Sequence, residues 1–408
     1  MRKKMFRGKK YFIEALWEGL LKISGSVTSI IIILIVLFLF SEGMGIFKKK
    51  VVEDGYVIAV NKNNPVKDLS PEQIKNIFDV KIVSWKELGV NINEDEITLL
   101  RLDDIPNYFP EDQIAEDMSN LPQIISQILK EHPGMIAFIP EDFAKKGFTE
   151  KVLDLGNINL KEFFGGKEWF PTAQPAPQFG VVPIVMGTLW VSLGAILIAL
   201  PFGIAVAIYS AELASKKVHK ILKPVIELLA GIPSVVYGFF GLIVIVPLIQ
   251  KVFNLDVGET GLAGSIVLAI MALPTIITIA EDALRSTPRA MKEASLALGA
   301  NKWQTILKVT IPYSISGITA GVVLGIGRAI GETMAVLMVT GNAAVIPHTL
   351  LEPVRTIPAT IAAELGEAPK GGAHYEALFV LGCILFVITL IINLVVEYIS
   401  SKNKNKVA

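Results

Sequence analysis

Long apolar runs alternate with short charged segments along most of the chain. About 20 apolar residues, rising 1.5 Å each, are enough to cross a hydrocarbon core of about 30 Å. The six runs of that length cover residues 23–47, 182–210, 224–250, 259–284, 313–341 and 376–399. This pattern predicts an all-α integral membrane protein with six transmembrane helices.

The first run, residues 23–47, has two interpretations. A cleaved signal peptide has an apolar core of about 7–15 residues and a small-residue cleavage site. The run is longer than that and no such site follows it, so a retained membrane span is favoured. Before it, residues 11–23 place Phe12, Leu16 and Leu20 on one helical face. This face is typical either of an interfacial helix or of a cytoplasmic extension of the span.

Basic residues are concentrated in alternate connections between the spans. They are frequent before span 1, between spans 2 and 3, between spans 4 and 5, and after span 6. The opposite connections, 251–258 and 342–375, hold only Lys251, Arg355 and Lys370. The positive-inside rule therefore places both termini in the cytoplasm of a cell that carries the protein in its cytoplasmic membrane. Residues 1–22 and 401–408 are therefore predicted to be cytoplasmic, and residues 51–179 extracytoplasmic.

Residues 51–166 have the pattern of a soluble α/β domain. Alternating apolar residues at 56–60 predict a strand, and Ser70 followed three residues later by Gln73 predicts the start of a helix. An extracytoplasmic α/β insert between spans 1 and 2 is therefore expected. Residues 171–179 are predicted to be a proline-rich linker, and residues 180–400 a core of five membrane helices.

Composition excludes several classes of function. The chain has 408 residues, of which 52% are hydrophobic and 19% charged, and its formal net charge is zero. No basic footprint for nucleic acid is visible. The single cysteine, Cys383, cannot form a disulfide within the chain, and four scattered histidines argue against a histidine metal site. We predict no catalytic residue, metal or cofactor, because no nucleophile–base constellation is present.

Residues 286–312, between spans 4 and 5, carry signals for two short helices. Gly299 favours the end of the first helix and Asn301 the cap of the second. The segment that begins at Glu293 and Ala294 resembles the E-A-A-x3-G-x9-I-x-L-P loop of importer permeases. The resemblance implies a cytoplasmic coupling loop that contacts a separate ATPase, since the chain carries no G-x-x-x-x-G-K-[ST] phosphate loop. A solvated amphipathic loop is the alternative.

Span 5 contains charged residues inside an apolar run. Arg328 and Glu332 are four residues apart and are predicted to share a helix face, so that Glu332 neutralises Arg328 in an empty pathway. A guanidinium fork suits phosphate oxygens, and Thr333 adds a hydroxyl. A structural ion pair is the alternative. Ser234, behind Pro233 in span 3, is a further candidate pathway hydroxyl, with a bond to its own helix as its alternative.

Two carboxylates, Glu281 and Asp282, stand near the end of span 4. Ionisable residues are rare within spans and are frequent at their ends. We interpret both as solvated interface carboxylates rather than pathway residues.

Three segments, residues 230–238, 272–275 and 327–335, are similar to permease subunits of phosphate importers, of the PstC type. The resemblance implies the type I ABC importer permease fold, in which the chain forms half of a phosphate translocation pathway. It also implies that Arg328 and Glu332 act in transport. The implied partners are a second permease subunit (PstA type), an ATPase dimer, an extracytoplasmic phosphate-binding protein, inorganic phosphate and membrane lipid.

The insert resembles part of a periplasmic phosphate-binding protein over residues 57–89 and 134–138. In that family a Ser-Gly-Thr turn after an arginine holds the anion. Here Arg101 is followed instead by Leu102, Asp103 and Asp104, which lack the amide donors that an anion needs. A docking or gating platform is the favoured role, with a structural relic and a ligand site as alternatives.

Two other functions fit parts of the pattern. One is a permease for a different oxyanion, such as molybdate or sulfate. The other is a membrane receptor that senses a ligand through the insert and signals inward. The coupling loop argues against the receptor, because a receptor needs no contact with an ATPase.

Overall fold

The computed structural model describes residues 2–404 except 93, 111–112 and 116–117, with side chains over residues 16–398. In this part of the chain, six helices are long and apolar enough to cross a membrane. They are Leu16–Lys48, Val182–Leu213, Ser234–Phe253, Gly261–Arg285, Lys302–Gly331 and Ala373–Tyr398. The predicted membrane fold with six spans is confirmed. The basic side chains before residue 16 and the end of the predicted tail, residues 405–408, lie outside the described part.

The first span belongs to one long helix, α1 (Arg2–Gly43), which a 3₁₀ turn, Met44–Lys48, extends. The helix runs without interruption through residues 11–23. Of the two interpretations of that stretch, the continuous helix agrees with an extension of span 1.

The inserted domain, residues 51–179, contains a four-stranded sheet of order β2-β3-β1-β4. Strand β1 is antiparallel to both of its neighbours, and β2 is parallel to β3. The strands are β1 (Tyr56–Val60), β2 (Thr98–Leu100), β3 (Met135–Pro140) and β4 (Lys151–Val152). The helices are α2 (Pro71–Phe78), α3 (Leu121–Glu131) and α4 (Leu160–Gly165).

The two faces of this sheet are covered by different helices. Ile58 and Val60 of β1 pack in a cluster with α2, whereas Ala59 packs in a second cluster with α3. Successive strand residues point to opposite faces, which explains this division. Strand β1 has the predicted bounds, and Ser70 and Gln73 form the predicted capping box at the start of α2.

Residues 171–179, the predicted proline-rich linker between the insert and span 2, form a packed hairpin. Strands β5 (Trp169–Phe170) and β6 (Gln178–Phe179) pair as an antiparallel hairpin around the proline-rich turn. The Nε2 of Gln178 donates to the carbonyl oxygen of Pro71 at 3.0 Å. Trp169 and Phe179 are buried in an apolar cluster with the start of the next span. The prolines therefore shape a packed turn.

The membrane core is built around a central helix, α9, which packs against α5 and α12. Two short π-helical segments, Gly241–Ile245 and Ile306–Thr310, join neighbouring helices into single spans. The helices, in order, are α5 (Val182–Ile208), α6 (Lys216–Ala230), α7 (Ser234–Phe240), α8 (Val246–Phe253), α9 (Gly261–Arg285), α10 (Arg289–Ala297), α11 (Lys302–Thr305), α12 (Ile311–Gly331), α13 (Met334–Val339), α14 (Ile357–Glu364) and α15 (Ala373–Lys404).

The bounds of spans 3 and 5 differ most from the prediction. Span 3 begins at Ser234 rather than at residue 224, because the chain breaks before Pro233 and leaves α6 as a separate helix. Span 5 ends at Gly331 rather than at residue 341, and the short helix α13 follows after two non-helical residues. Proline and glycine at these points disfavour an uninterrupted helix.

Candidate functional site

Arg328 lies in the last turn of α12, half-buried within the membrane core. Its Nη1 donates to the Oγ1 of Thr275 on α9 at 3.4 Å. Helices α9 and α12 approach closely here, since a Cβ on Gly325 would stand 2.6 Å from a side-chain carbon of Ile276. A guanidinium has five N–H donors. Within the described residues, Thr275 is the single hydrogen-bond partner of Arg328, so most of these donors remain available.

Glu332 does not pair with Arg328, which corrects the prediction of a shared helix face. Helix α12 ends at Gly331, and Glu332 has an extended ψ of 133°. Its Oε1 accepts a hydrogen bond from the N–H of Ala335 at 3.4 Å. The free N–H groups at the start of α13 explain this contact, because the first turn of a helix lacks internal acceptors. No ion pair joins the described side chains of Arg328 and Glu332.

Thr333 lies in the same break between α12 and α13, and its hydroxyl donates to the carbonyl oxygen of Gly331 at 3.3 Å. Both residues line an open cavity of about 530 Å³. The opposite wall is formed by α14, through Pro358, Ile361 and Ala362. The break therefore opens one side of span 5 to a cavity three residues along the chain from Arg328, which is not one of the lining residues.

Ser234 is the first residue of α7, directly after Pro233, and it is half-buried. Within the described residues its hydroxyl has no hydrogen-bond partner, so the predicted alternative of a bond to its own helix is not observed. No hydrogen bond joins it to Arg328, Glu332 or Thr333. The structure therefore does not bring the four predicted pathway residues into one contact group.

Thr275 is the polar partner that sequence reasoning missed. It follows Pro274 in the middle of α9, and a hydroxyl beside a proline in an apolar span was the available signal. The resemblance implies that Arg328 acts in transport, and on that expectation replacing Thr275 with valine should weaken uptake by about 2- to 5-fold. The hydrogen bond from the guanidinium is long, 3.4 Å. We therefore expect it to contribute about 0.5–1 kcal/mol, less than the roughly 1.5–3 kcal/mol typical of a charged group. The measurement is the initial rate of ATP-driven uptake by the reconstituted complex. Thr278→Val, one turn along the same helix, is the matched control, and an equal effect in both variants would contradict a specific role.

The coupling-loop residues adopt the predicted turn. Helix α10 ends at Ala297, Gly299 has a left-handed φ of +86°, and Asn301 and Gln304 form a capping box. The second helix is longer than predicted, because it continues from Lys302 through span 5 to Gly331.

The outer face of this loop is open. Glu293 and Ala294 are exposed, and the apolar side chains of Leu296 and Leu298 are 49% and 90% exposed. Exposed apolar side chains rimmed by charge are typical of a protein contact surface.

Polar contacts fix the coupling loop to the membrane core. Lys292 donates to the carboxylate of Glu212 at the end of span 2, and Ser295 is 3.0 Å from Thr305.

Nearby, Glu281 is only 1% exposed and contacts both His219, at 2.7 Å, and Arg285, at 2.8 Å. The interpretation of Glu281 as a solvated carboxylate is therefore wrong. Its neighbour Asp282 is largely exposed and pairs with Lys223 at 3.3 Å.

The inserted domain has no anion turn after Arg101. A 3₁₀ helix, Leu102–Asn107, follows it, and the Arg101 N–H donates to the carboxylate of Asp104 at 2.9 Å. The guanidinium of Arg101 lies 5.9 Å from the ring centre of Phe78. An acidic side chain therefore uses the backbone donor that an anion would need.

A polar cluster joins the inserted domain to the membrane core; we call it the Glu364 cluster. The carboxylate of Glu364 on α14 accepts from Trp169 Nε1 at 3.0 Å and from Arg355 Nη1 at 2.6 Å, and it lies 2.9 Å from His374 Nε2. Burial alone would raise the pKa of Glu364. The hydrogen bonds from His374 and Trp169 and the charge of Arg355 outweigh burial and lower the pKa below its usual value.

This lowered pKa predicts a pH-dependent stability. The ionised Glu364 stabilises the folded state above the pKa of about 4.3 that it has in the unfolded chain, and that stabilisation is lost as the pH falls through the lower folded value. Glu364→Gln should therefore cost about 3 kcal/mol at pH 7 and almost nothing in strong acid. The thermal unfolding midpoints of the two proteins, measured from pH 7 to pH 3, test this. A difference that does not change with pH would contradict it.

The chain is similar in sequence to known transport proteins. Residues 199–405, half of the chain, match the family model described as "Binding-protein-dependent transport system inner membrane component", and residues 39–184 match a PBP superfamily domain. A "Probable ABC transporter permease protein YqgH" of Bacillus subtilis is 43% identical over 250 residues, 61% of this chain and 81% of that protein.

A "Phosphate transport system permease protein PstC" of Mesorhizobium japonicum is 39% identical over 255 residues, 58% of this chain and 77% of that protein. A structure of the inward-facing MetNI methionine ABC transporter is 18% identical, with a TM-score of 0.44, and covers 55% of this chain and 95% of that chain.

The matched family supplies membrane subunits that perform no catalysis, because a separate ATPase hydrolyses ATP and a binding protein delivers the substrate. The chain therefore belongs to the family of binding-protein-dependent transport system inner membrane components, as the permease subunit of an ABC importer.

Proposed function

We propose that this permease subunit imports inorganic phosphate and that Arg328 is the group that meets the anion inside the membrane. The observation that carries the proposal is the half-buried guanidinium with Thr275 as its single partner in the described chain. An arginine inside a span is costly unless it faces a cavity, water or a partner. Its free donors match phosphate oxygens in pairs. A relative that is named as a phosphate permease supports the choice of anion.

The neighbouring residues have separate roles in this proposal. Thr275 holds the guanidinium when no anion is bound, and Thr333 offers a hydroxyl at the edge of the adjoining cavity. Glu332 adds a negative charge in the break after α12, which keeps anion binding weak enough for release, as conduction requires. Ser234 offers a hydroxyl at the start of span 3.

The proposed orientation places both termini in the cytoplasm and residues 51–179 outside. The alternation of basic connections supports this orientation. The open face at Glu293, Ala294 and Gly299 then meets a dimer of ATPase subunits, and a second permease subunit of the PstA type completes the pathway. An extracytoplasmic phosphate-binding protein delivers phosphate, and ATP binding opens the pathway outward by alternating access.

The inserted domain serves as a docking or gating platform in this proposal. Its hairpin packs into the same apolar cluster as the starts of α5 and α15, and the Glu364 cluster fixes it to α14. Because α14 also lines the cavity beside Thr333, the domain contacts an element of the pathway mouth. The carboxylate at the Arg101 turn argues against phosphate binding by the domain itself.

Uptake of radiolabelled phosphate into vesicles that hold the assembled complex tests the function. The binding protein is added outside, ATP is enclosed, and sulfate and molybdate are compared under the same conditions. We expect ATP-dependent accumulation of phosphate alone. Accumulation of another oxyanion instead of phosphate would leave the permease assignment intact and would show the substrate assignment to be wrong.

A further inference from the structure

Helix α6, Lys216–Ala230, connects spans 2 and 3 without being part of either. Ser215 caps its start, where its side chain accepts from the N–H of Val218 at 3.3 Å, and the break at Gly231–Pro233 ends it. At 1.5 Å per residue the helix is about 22 Å long. Its side chains fall into three sectors, each about a third of the helix circumference at 100° per residue.

The first sector faces the protein. His219 contacts the buried carboxylate of Glu281, and Lys223 pairs with Asp282, both at the coupling-loop end of span 4. Ile226, one turn further, is 5% exposed in the apolar cluster formed there with α9. These contacts place α6 at the level where the spans leave the membrane.

The second sector is apolar and uncovered. Ile221 and Leu228 are 70% and 72% exposed, although they lie beside the ends of membrane spans. The complete sector consists of Val218, Ile221, Val225, Leu228 and Leu229. A row of this size facing water would be unfavourable, whereas the hydrocarbon of a bilayer would cover it.

The third sector is basic. Lys216, Lys217 and Lys220 are exposed, and within the described residues none of them has an ion-pair or hydrogen-bond partner. Glu227 is the single acidic residue of the helix. An apolar sector next to a basic sector is the arrangement of helices that lie in the membrane–water interface.

We propose that α6 lies flat in the cytoplasmic membrane–water interface and binds the headgroups of anionic lipids through Lys216, Lys217 and Lys220. The cytoplasmic side in this statement rests on the proposed orientation. The rival occupant is a second permease subunit, which would need to cover the apolar sector. The three unpaired lysines favour the lipid, because anionic headgroups complement them while an apolar protein face does not.

This contact has a consequence for transport. Helix α6 contacts Glu281 and Asp282 at the end of span 4, and residues 286–312 begin directly after that span. Anionic lipid that holds α6 in place therefore also fixes the base of the coupling loop. We expect transport to depend on the fraction of anionic lipid.

Spin labels test the position of the helix in the assembled complex. Cys383 is the one cysteine of the chain, so Cys383→Ala provides a background for Ile221→Cys, Leu228→Cys, Lys217→Cys and Lys220→Cys. In vesicles of phosphatidylethanolamine and phosphatidylglycerol, labels at 221 and 228 should collide mainly with oxygen, and labels at 217 and 220 mainly with a water-soluble nickel complex. The measurement needs no substrate, so its result does not depend on whether phosphate is the transported anion.

Two results would overturn the position. Labels at 221 and 228 that neither reagent reaches would show that another subunit covers the sector. Labels there that the nickel complex reaches freely would show a helix in water.

The lipid requirement is tested with defined vesicles. ATP hydrolysis and uptake by the complex are measured with and without about one third phosphatidylglycerol, a fraction that gives a strongly negative surface. Addition of the anionic lipid should raise the rates of ATP hydrolysis and uptake by the wild-type complex several-fold. It should not raise them in the triple variant Lys216→Gln, Lys217→Gln, Lys220→Gln. The matched control removes three exposed lysines of the inserted domain, Lys67→Gln, Lys130→Gln and Lys146→Gln, and should keep the gain. A lipid response retained in the first triple variant would overturn the proposal.

Discussion

Replacing Arg328 with glutamine should reduce phosphate uptake by about 10- to 100-fold while the complex still assembles. Hydrogen bonds from a charged donor contribute about 1.5–3 kcal/mol, and 1.36 kcal/mol corresponds to a tenfold change in rate. Glutamine keeps a donor near Thr275 and removes the charge and the fork. The measurement is the initial rate of uptake in vesicles, with ATP hydrolysis and subunit composition followed in parallel.

Two further variants sharpen this result. Arg328→Lys keeps the charge and loses the planar fork, and it should transport at an intermediate rate, because lysine binds phosphate as a point charge. Lys251→Gln removes an exposed charge at the far end of span 3 and should transport normally. If Arg328→Gln transports like wild type, the residue has an architectural role and the anion must be bound elsewhere.

Replacing Gly299 with valine should uncouple ATP hydrolysis from uptake. The backbone there has φ +86°, a conformation that costs a β-branched residue about 1–3 kcal/mol. A Cβ added there would meet no heavy atom within 4 Å beyond its own residue and chain neighbours, so the strain lies in the backbone. We expect the strained turn to change the angle between α10 and span 5. The rate of uptake should then fall about tenfold, since each 1.36 kcal/mol in a barrier is a factor of ten in rate.

Gly299→Asn is the matched control for this prediction. Asparagine tolerates the left-handed region, so this variant should keep most of the uptake and the ratio of phosphate moved to ATP hydrolysed. Equal behaviour of the valine and asparagine variants would show that the turn geometry does not matter for coupling. Both rates are measured on the same vesicles.

The membrane fold was predictable because apolar length is a strong local signal. The number of spans, the turn at Gly299, the cap at Asn301 and strand β1 all follow from residues next to each other in the chain. The sequence alone left a membrane receptor as an alternative function, and the match to the permease family decides against that alternative. The substrate, the partner subunits and the roles of Arg328 and Ser234 stay predictions.

The errors have two different physical causes, a local helix end and contact between distant parts of the chain. A spacing of four residues suggested an Arg328–Glu332 pair, but the helix end at Gly331 turns Glu332 towards α13. The burial of Glu281 depends partly on His219, which is 62 residues away in the chain and therefore not visible locally. The packing of the proline-rich stretch 171–179 against Pro71 is likewise not visible from neighbouring residues.

The span Lys302–Gly331, which includes the π-helical segment Ile306–Thr310, places the coupling loop and Arg328 at opposite ends of one continuous helical segment. At 1.5 Å per residue, Arg328 stands about 39 Å from the start of that segment. A tilt of the segment by about 5° about its coupling-loop end would carry the guanidinium sideways by about 3.4 Å, a figure that follows from the same rise per residue. This displacement equals the present distance between Nη1 of Arg328 and Oγ1 of Thr275, 3.4 Å. If the ATPase tilts this segment as proposed, a rotation of about 5° would therefore be enough to exchange one hydrogen-bond partner of Arg328 for another.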